Sequence, residues 1–274
     1  NLTTREIKRI VAHSKENNRK SIIFVTGVPG AGKTLVGLNL ASEFHNSDLE
    51  EHAVFLSGNL PLVTVLQEAL ARDKVKREAE ENHRHISKDY ALREVKSFIQ
   101  IIHHYRDEYV GNNICPSDRV AIFDESQRAW TQDEISSFMA RKKGVRDFKY
   151  SEPEFLIQTM DRHDDWAVIV CLVGGGQEIN KGEAGLPEWF DALRRSFPHW
   201  DVYAAKNLDD SEYLRGRTWS DLASGINLTI SDGLHLATSM RSFRSENVSL
   251  LIKQILDNAI EDARNTFCAV QKHY

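Results

Sequence analysis

The run Gly27, Val28, Pro29, Gly30, Ala31, Gly32, Lys33, Thr34 constrains this chain more than any other feature. It fits GxxxxGKT, with an apolar strand-like run at 21–26 before it and helix-like spacing at Leu35, Leu38 and Leu40 after it. Strand, glycine-rich turn and helix in that order make a phosphate cradle. Gly27, Gly30 and Gly32 let the backbone curl so that successive amides, with Leu35 closing the set, point at phosphate oxygens near a helix N-terminus. Lys33 is expected to neutralise the β and γ phosphates, and the Thr34 hydroxyl to ligate magnesium (Mg2+).

The rest of the chain alternates between helical and strand-like patterning. Helices are expected at 4–14, from 35 onward, at 61–71, at 90–109 and at 246–266; buried strands are expected at 21–26, 53–56, 120–123 and 167–173. Wholly apolar strands separated by helices imply right-handed crossovers and a parallel central sheet with helices on both faces, its ligand site outside the carboxyl ends of the strands. The fold class is α/β, a RecA-like P-loop NTPase. The mixed-charge stretch 72–89 reads as an exposed helix or an insertion, and the weakly patterned stretch 201–232 as a further insertion.

A phosphate cradle needs an acid at the end of a neighbouring strand. Val120, Ala121, Ile122 and Phe123 lead directly into Asp124 and Glu125. Asp124 is expected to hold Mg2+ through a water, and Glu125 to polarise the attacking water of a hydrolase. The alternative for Glu125 is a helix-capping or surface carboxylate.

Composition narrows the partners. The chain has 274 residues, 41% of them hydrophobic, enough for a sizeable core. Its longest apolar runs fall far below the roughly 18 residues of a membrane helix, so no membrane partner is expected. The net charge of −5 leaves no overall cationic surplus for a phosphate backbone, so any nucleic-acid contact must be local. The densest basic stretch is Arg141, Lys142, Lys143, Arg146 and Lys149, either a nucleic-acid patch or a solvated loop. Nearby Trp130, Phe148 and Tyr150 are candidates for base stacking, with core packing as the alternative. Three distant cysteines without a CxxC pair argue against a disulfide framework and a zinc site and suit a reducing, cytoplasmic setting. The start at Asn1 suggests a piece of a longer protein.

Two longer runs carry a family likeness. FDESQRAW at 123–130 and LVGGGQEINKGEAGLPEWF at 172–190, with FLSGNLPLV at 55–63 and SEPEFLI at 151–157, resemble the Schlafen-group DNA/RNA helicase domain family from about Ser21 to about Asn258. That family is similar to superfamily one helicases. The resemblance implies ATP as the nucleotide and DNA or RNA, single-stranded, as partner. It also implies that residues 1–274 form the first RecA-like ATP-binding lobe, with a second RecA-like lobe in the full-length chain. Ser57, Gly58 and Asn59 then correspond to a turn that grips a strand by its backbone, or else Asn59 merely caps a helix. Gln177, after Gly174, Gly175 and Gly176, corresponds to a γ-phosphate sensor, although the acid of the superfamily pattern is absent. Arg241 in LHLATSMRS corresponds to an arginine finger, or is a surface salt-bridge arginine. The function expected is ATP hydrolysis coupled to nucleic-acid translocation or remodelling. A regulatory ATP switch that controls an attached nuclease or partner domain is the alternative, and a scaffold without turnover is the third reading.

Overall fold

A computed structural model describes residues 2–45, 52–145, 148–175, 182–214, 216–238 and 243–271. It opens with α1 (Leu2–Glu16), whose buried Ile7, Ile10 and Val11 recur at helical spacing. There follow β1 (Lys20–Gly27), α2 (Lys33–His45), β2 (Ala53–Ser57) and α3 (Leu60–Glu80). Asn59 caps α3 by accepting the Leu62 amide, and Pro61 occupies its first turn, where a missing N–H costs nothing. Residues 72–80 continue α3 without a break and lie along α4 (Lys88–Phe98), tied to it by Lys74 and Glu94.

The single helix expected at 90–109 is three elements. After α4 the chain extends as β3 (Ile99–Ile101) and then re-enters helix as α5 (Ile102–Tyr109). β3 pairs in parallel with β2, Phe55 opposite Ile99 and Ser57 opposite Ile101. Two β-branched residues at period two satisfy an otherwise open sheet edge, and the helical spacing on either side conceals them.

β4 (Val120–Phe123), α6 (Gln132–Phe138), a π-turn over Met139–Lys143, α7 (Glu152–Met160), β5 (Ala167–Leu172) and α8 (Leu186–Ser196) come next. Residues 201–232 supply β6 (Asp201–Ala204), two short helices, α9 (Ser211–Leu214) and α10 (Trp219–Ala223), and β7 (Asn227–Ile230). Both strands belong to the central sheet. β6 pairs with β1 and β7 with β6, and β7 is a half-exposed edge whose residues carry no apolar run to announce it. β8 (His235–Leu236) then lies beside the last two residues of β1.

Among the described residues the sheet has eight parallel strands in the order β3-β2-β4-β5-β1-β6-β7, with β8 on β1. Alternate residues of each strand serve opposite faces. Ile23, Val25, Phe55, Ile122 and Val170 pack under α1 to α4. Phe24, Leu56, Phe123 and Ile169 pack under α5, α7 and α8, where Trp189 and Phe190 fill the space. This is the expected α/β architecture with helices on both faces.

The terminal helix expected at 246–266 is a hairpin of α11 (Phe243–Leu256) and α12 (Ile260–Val270). Asn258 breaks it with φ 58°, a left-handed conformation that asparagine tolerates. Ile252, Ile255 and Leu256, which helical spacing sets on one face, are exposed.

Candidate functional site

The order of strands decides what the phosphate turn faces. β1 ends at Gly27 and β4 at Phe123, with only β5 between them. The turn after β1 needs glycine twice for conformation, since Gly30 and Gly32 have φ 78° and 84°. Gly27 is required for a different reason: a Cβ there would stand 2.7 Å from the Leu236 Cβ of β8. β8 thus braces the turn, and the Val28 amide donates to the Leu236 carbonyl at 3.1 Å. Lys33 folds back over the same turn, its ammonium 2.7 Å from the Gly27 carbonyl. Val28, Pro29 and Ala31 complete the loop, with the Ala31 amide closing on the Val28 carbonyl at 3.0 Å, and Leu35 is half-exposed in the first turn of α2.

Thr34 reaches across to β4. Its hydroxyl donates to both carboxylate oxygens of Asp124, at 3.1 and 3.2 Å. Asp124 is buried, and that burial, then the neighbouring Glu125 charge, raises its carboxyl to about 6 against the opposing pull of Thr34 and Lys33. A hydroxyl and a carboxylate held together beside a lysine form a hard oxygen set that suits magnesium.

Glu125 has left-handed backbone, φ 52° and ψ 44°, a conformation that costs a non-glycine residue on the order of 1–2 kcal/mol. Gln127 holds its side chain. The Gln127 Nε2 donates to the Glu125 carboxylate at 2.5 Å, and its Oε1 accepts the Gly174 amide at 3.0 Å. Because Gly174 can only donate, the orientation of the Gln127 amide follows from the network itself. Gln127 is buried and links the end of β4 to the loop after β5. Motif spacing did not single it out, although it lies inside the FDESQRAW run. Ser126 adds to the link by donating to the Leu172 carbonyl at 3.2 Å, and Trp189 donates to the Ser126 carbonyl at 2.9 Å.

The family model for the Schlafen group 3 DNA/RNA helicase domain matches residues 20–274. The chain belongs to that family. No curated protein matches the chain. Membership suggests a nucleoside-triphosphate-dependent activity on nucleic acid and implies a nucleoside triphosphatase.

In this Schlafen domain a cavity of about 580 Å³ runs from Thr34, Asp124 and Glu125 past the turn of Ser57, Gly58 and Asn59. It is lined further by His103, Trp130 and Glu152, and by Arg128, whose guanidinium lies 4.0 Å from the Glu125 carboxylate. Asn59 spends its side-chain oxygen on capping α3, and its backbone amide donates to the Ser57 hydroxyl at 3.3 Å, so the turn is held by its own side chains. Of the three aromatic candidates only Trp130 borders the cavity. Phe148 packs into the core beside Phe155, and Tyr150 is bonded to Gln158 on the surface. In the basic stretch Arg141, Lys142 and Lys149 are exposed, and Lys143 pairs with Asp107 at 2.7 Å. Gln177 and Arg241 lie outside the described residues, as does Arg146. Among the described residues no helix is long and apolar enough to cross a membrane.

Proposed function

We propose that this Schlafen domain binds and hydrolyses ATP and couples hydrolysis to movement along, or remodelling of, a single-stranded nucleic acid. The observation that carries the reading is the contact of Thr34 with Asp124, which brings the phosphate loop to a strand end that also bears Glu125. Lys33 and the loop amides of residues 27–35 hold the triphosphate. Thr34 and Asp124 hold Mg2+, which supplies charge neutralisation at the phosphate oxygens. Glu125, fixed by Gln127, orients a water and takes its proton as the oxygen attacks the γ phosphorus, while the bond from that phosphorus to the β–γ bridging oxygen breaks and ADP leaves. Gln177 senses the γ phosphate, and Arg241 completes the charge around it when a second RecA-like lobe closes on this one. Gln127 carries the state of that site to the loop after β5, and the cavity carries it toward Ser57 to Asn59 and Trp130.

The test is phosphate release from magnesium ATP, with and without single-stranded DNA, single-stranded RNA and duplex, with Lys33→Ala as the blank. Stimulation by one polymer supports a coupled motor and names its track. Turnover without stimulation in the full-length protein would favour a regulatory ATP switch instead, and absence of turnover there would overturn the hydrolase.

A further inference from the structure

The cavity's far end is built unlike its phosphate end. The Trp130 ring stands 5.1 Å from the His103 imidazole and 5.3 Å from the Phe138 ring. Behind them lies the fully buried Arg106, its guanidinium 5.4 Å from the Trp130 ring and 4.7 Å from that of Phe138. Trp130 and His103 border the cavity, whereas Phe138 and Arg106 stand outside its lining. Two acids lie here: Glu152 neutralises Arg106 at 3.2 Å and also accepts the Trp130 amide at 3.0 Å, and Glu183 pairs with Arg128 at 3.8 Å, so each charge is matched. Trp130 is further held by an antiparallel bridge to Glu183.

His103 is the unsatisfied member. Its Nδ1 is buried without a hydrogen-bond partner, and burial together with Arg106 lowers its pKa, which keeps the ring neutral and able to donate or accept. A flat aromatic wall, an imidazole beside it and enclosed space are what a heteroaromatic ring with polar edges requires. The surroundings offer partners to a charged backbone. The turn of Ser57 to Asn59 lines the same cavity, and the exposed Arg141 and Lys142 lie in the π-turn that directly follows Phe138. Arg128, also in the lining, is paired with Glu125 and Glu183 at 4.0 and 3.8 Å.

We propose that this end of the cavity takes one nucleobase of a single-stranded nucleic acid, stacked on Trp130 with an edge toward His103, its flanking phosphates running between the 57–59 turn and the basic π-turn. The inference rests on the nucleic-acid reading given above and adds to it a site for a base. It also gives the strand a handle on the chemistry. Trp130 lies five residues beyond Glu125, and residues 129–131 are bonded to residues 182–184 of the loop after β5 through the Thr131 amide on Gly182 and the Ala184 amide on Ala129.

The experiment uses the full-length protein and a labelled oligothymidylate of about twelve nucleotides, within the usual span of a single-strand site, beside the same oligomer made of abasic sites. Trp130→Ala should weaken binding of the base-bearing strand about 5- to 150-fold, the range of one lost base–aromatic stack, and move the abasic strand less than about twofold. Trp130→Phe keeps the packing against Arg106 and serves if the alanine variant fails to fold. The emission lost between parent and Trp130→Phe is that of Trp130, and this difference should be quenched by the base-bearing strand and not by the abasic one. Equal losses on both strands, or an unquenched Trp130, would overturn the base site while leaving nucleic-acid binding intact. Loss of ATP affinity with strand affinity unchanged would assign the cavity to the nucleotide's own base and also overturn it. If the parent binds neither strand, the nucleic-acid reading falls and the base site falls with it.

Discussion

Glu125 and Gln127 form a hydrogen-bonded unit in which, under the proposed mechanism, Glu125 takes the proton and Gln127 aims it. A carboxylate in left-handed backbone is held against strain of about 1–2 kcal/mol, and the Gln127 amide both binds it and anchors on Gly174. We expect Glu125→Gln to bind ATP with unchanged affinity and to lose phosphate release by about 10²-fold or more, in line with the loss of a general base. Gln127→Leu should lower kcat, counted per ATP-binding site titrated, about tenfold while KM for ATP stays within a factor of two; a mere loss of stability would reduce the number of titrated sites instead. Equal turnover in Glu125→Gln and parent would remove Glu125 from its role. At the same scale, burial raises the Asp118 carboxyl to about 6, opposed by His52 and assisted by Glu108. Unfolded aspartate titrates near about 3.9, so the folded state holds this proton more tightly. The stabilisation is complete below about pH 4 and is lost as pH rises through about 6. Asp118→Asn should therefore gain on the parent between pH 4.5 and pH 7 in urea midpoint, and an offset that is equal at both pH values would refute the assignment. The phosphate loop and the acid pair were legible from local spacing alone. Gln127 was not, because its role depends on a partner 47 positions away across β5.

Among elements, α5 and α7 are joined by a buried ion pair rather than by apolar contact alone. Arg106 is fully enclosed, its Nε and Nη2 lack hydrogen-bond partners although Asp107 stands 3.7 Å from Nη2, and Glu152 at the start of α7 carries both its charge and the Trp130 amide. Burial pushes the Glu152 carboxyl up while Arg106 pulls it down, so the pair is coupled and its net worth is modest. Breaking it is another matter. Glu152→Ala should cost about 3–5 kcal/mol in a urea titration, because it strands a buried guanidinium, and Arg106→Met added to it should recover part of that loss. A cost below about 1 kcal/mol would mean that water reaches Arg106. The same element shows why the helix expected at 90–109 failed as a single piece. Ile99 and Ile101 leave the helix to pair with β2, and only the presence of β2 beside them rewards that exit.

For the whole molecule, the parallel order of strands sets Thr34 against Asp124 from residues 90 positions apart. If these residues bind magnesium ATP as proposed, ligand at about a hundredfold excess over Kd should stabilise the fold by about 2.7 kcal/mol. That appears as a rise in the thermal midpoint, absent in Lys33→Ala, and an equal rise in that variant would place binding elsewhere. The sequence by itself determined the phosphate loop, the acid pair, the alternation of buried strands and helices and the family likeness, since each depends on neighbours within a few residues. Only the tertiary structure decided that β6 and β7 extend the sheet, that Phe148 packs inward while Trp130 borders a cavity, and that β8 closes on Gly27. Those outcomes depend on surfaces supplied by distant segments, and a short polar strand or a lone aromatic residue carries no local signal of which surface it will meet.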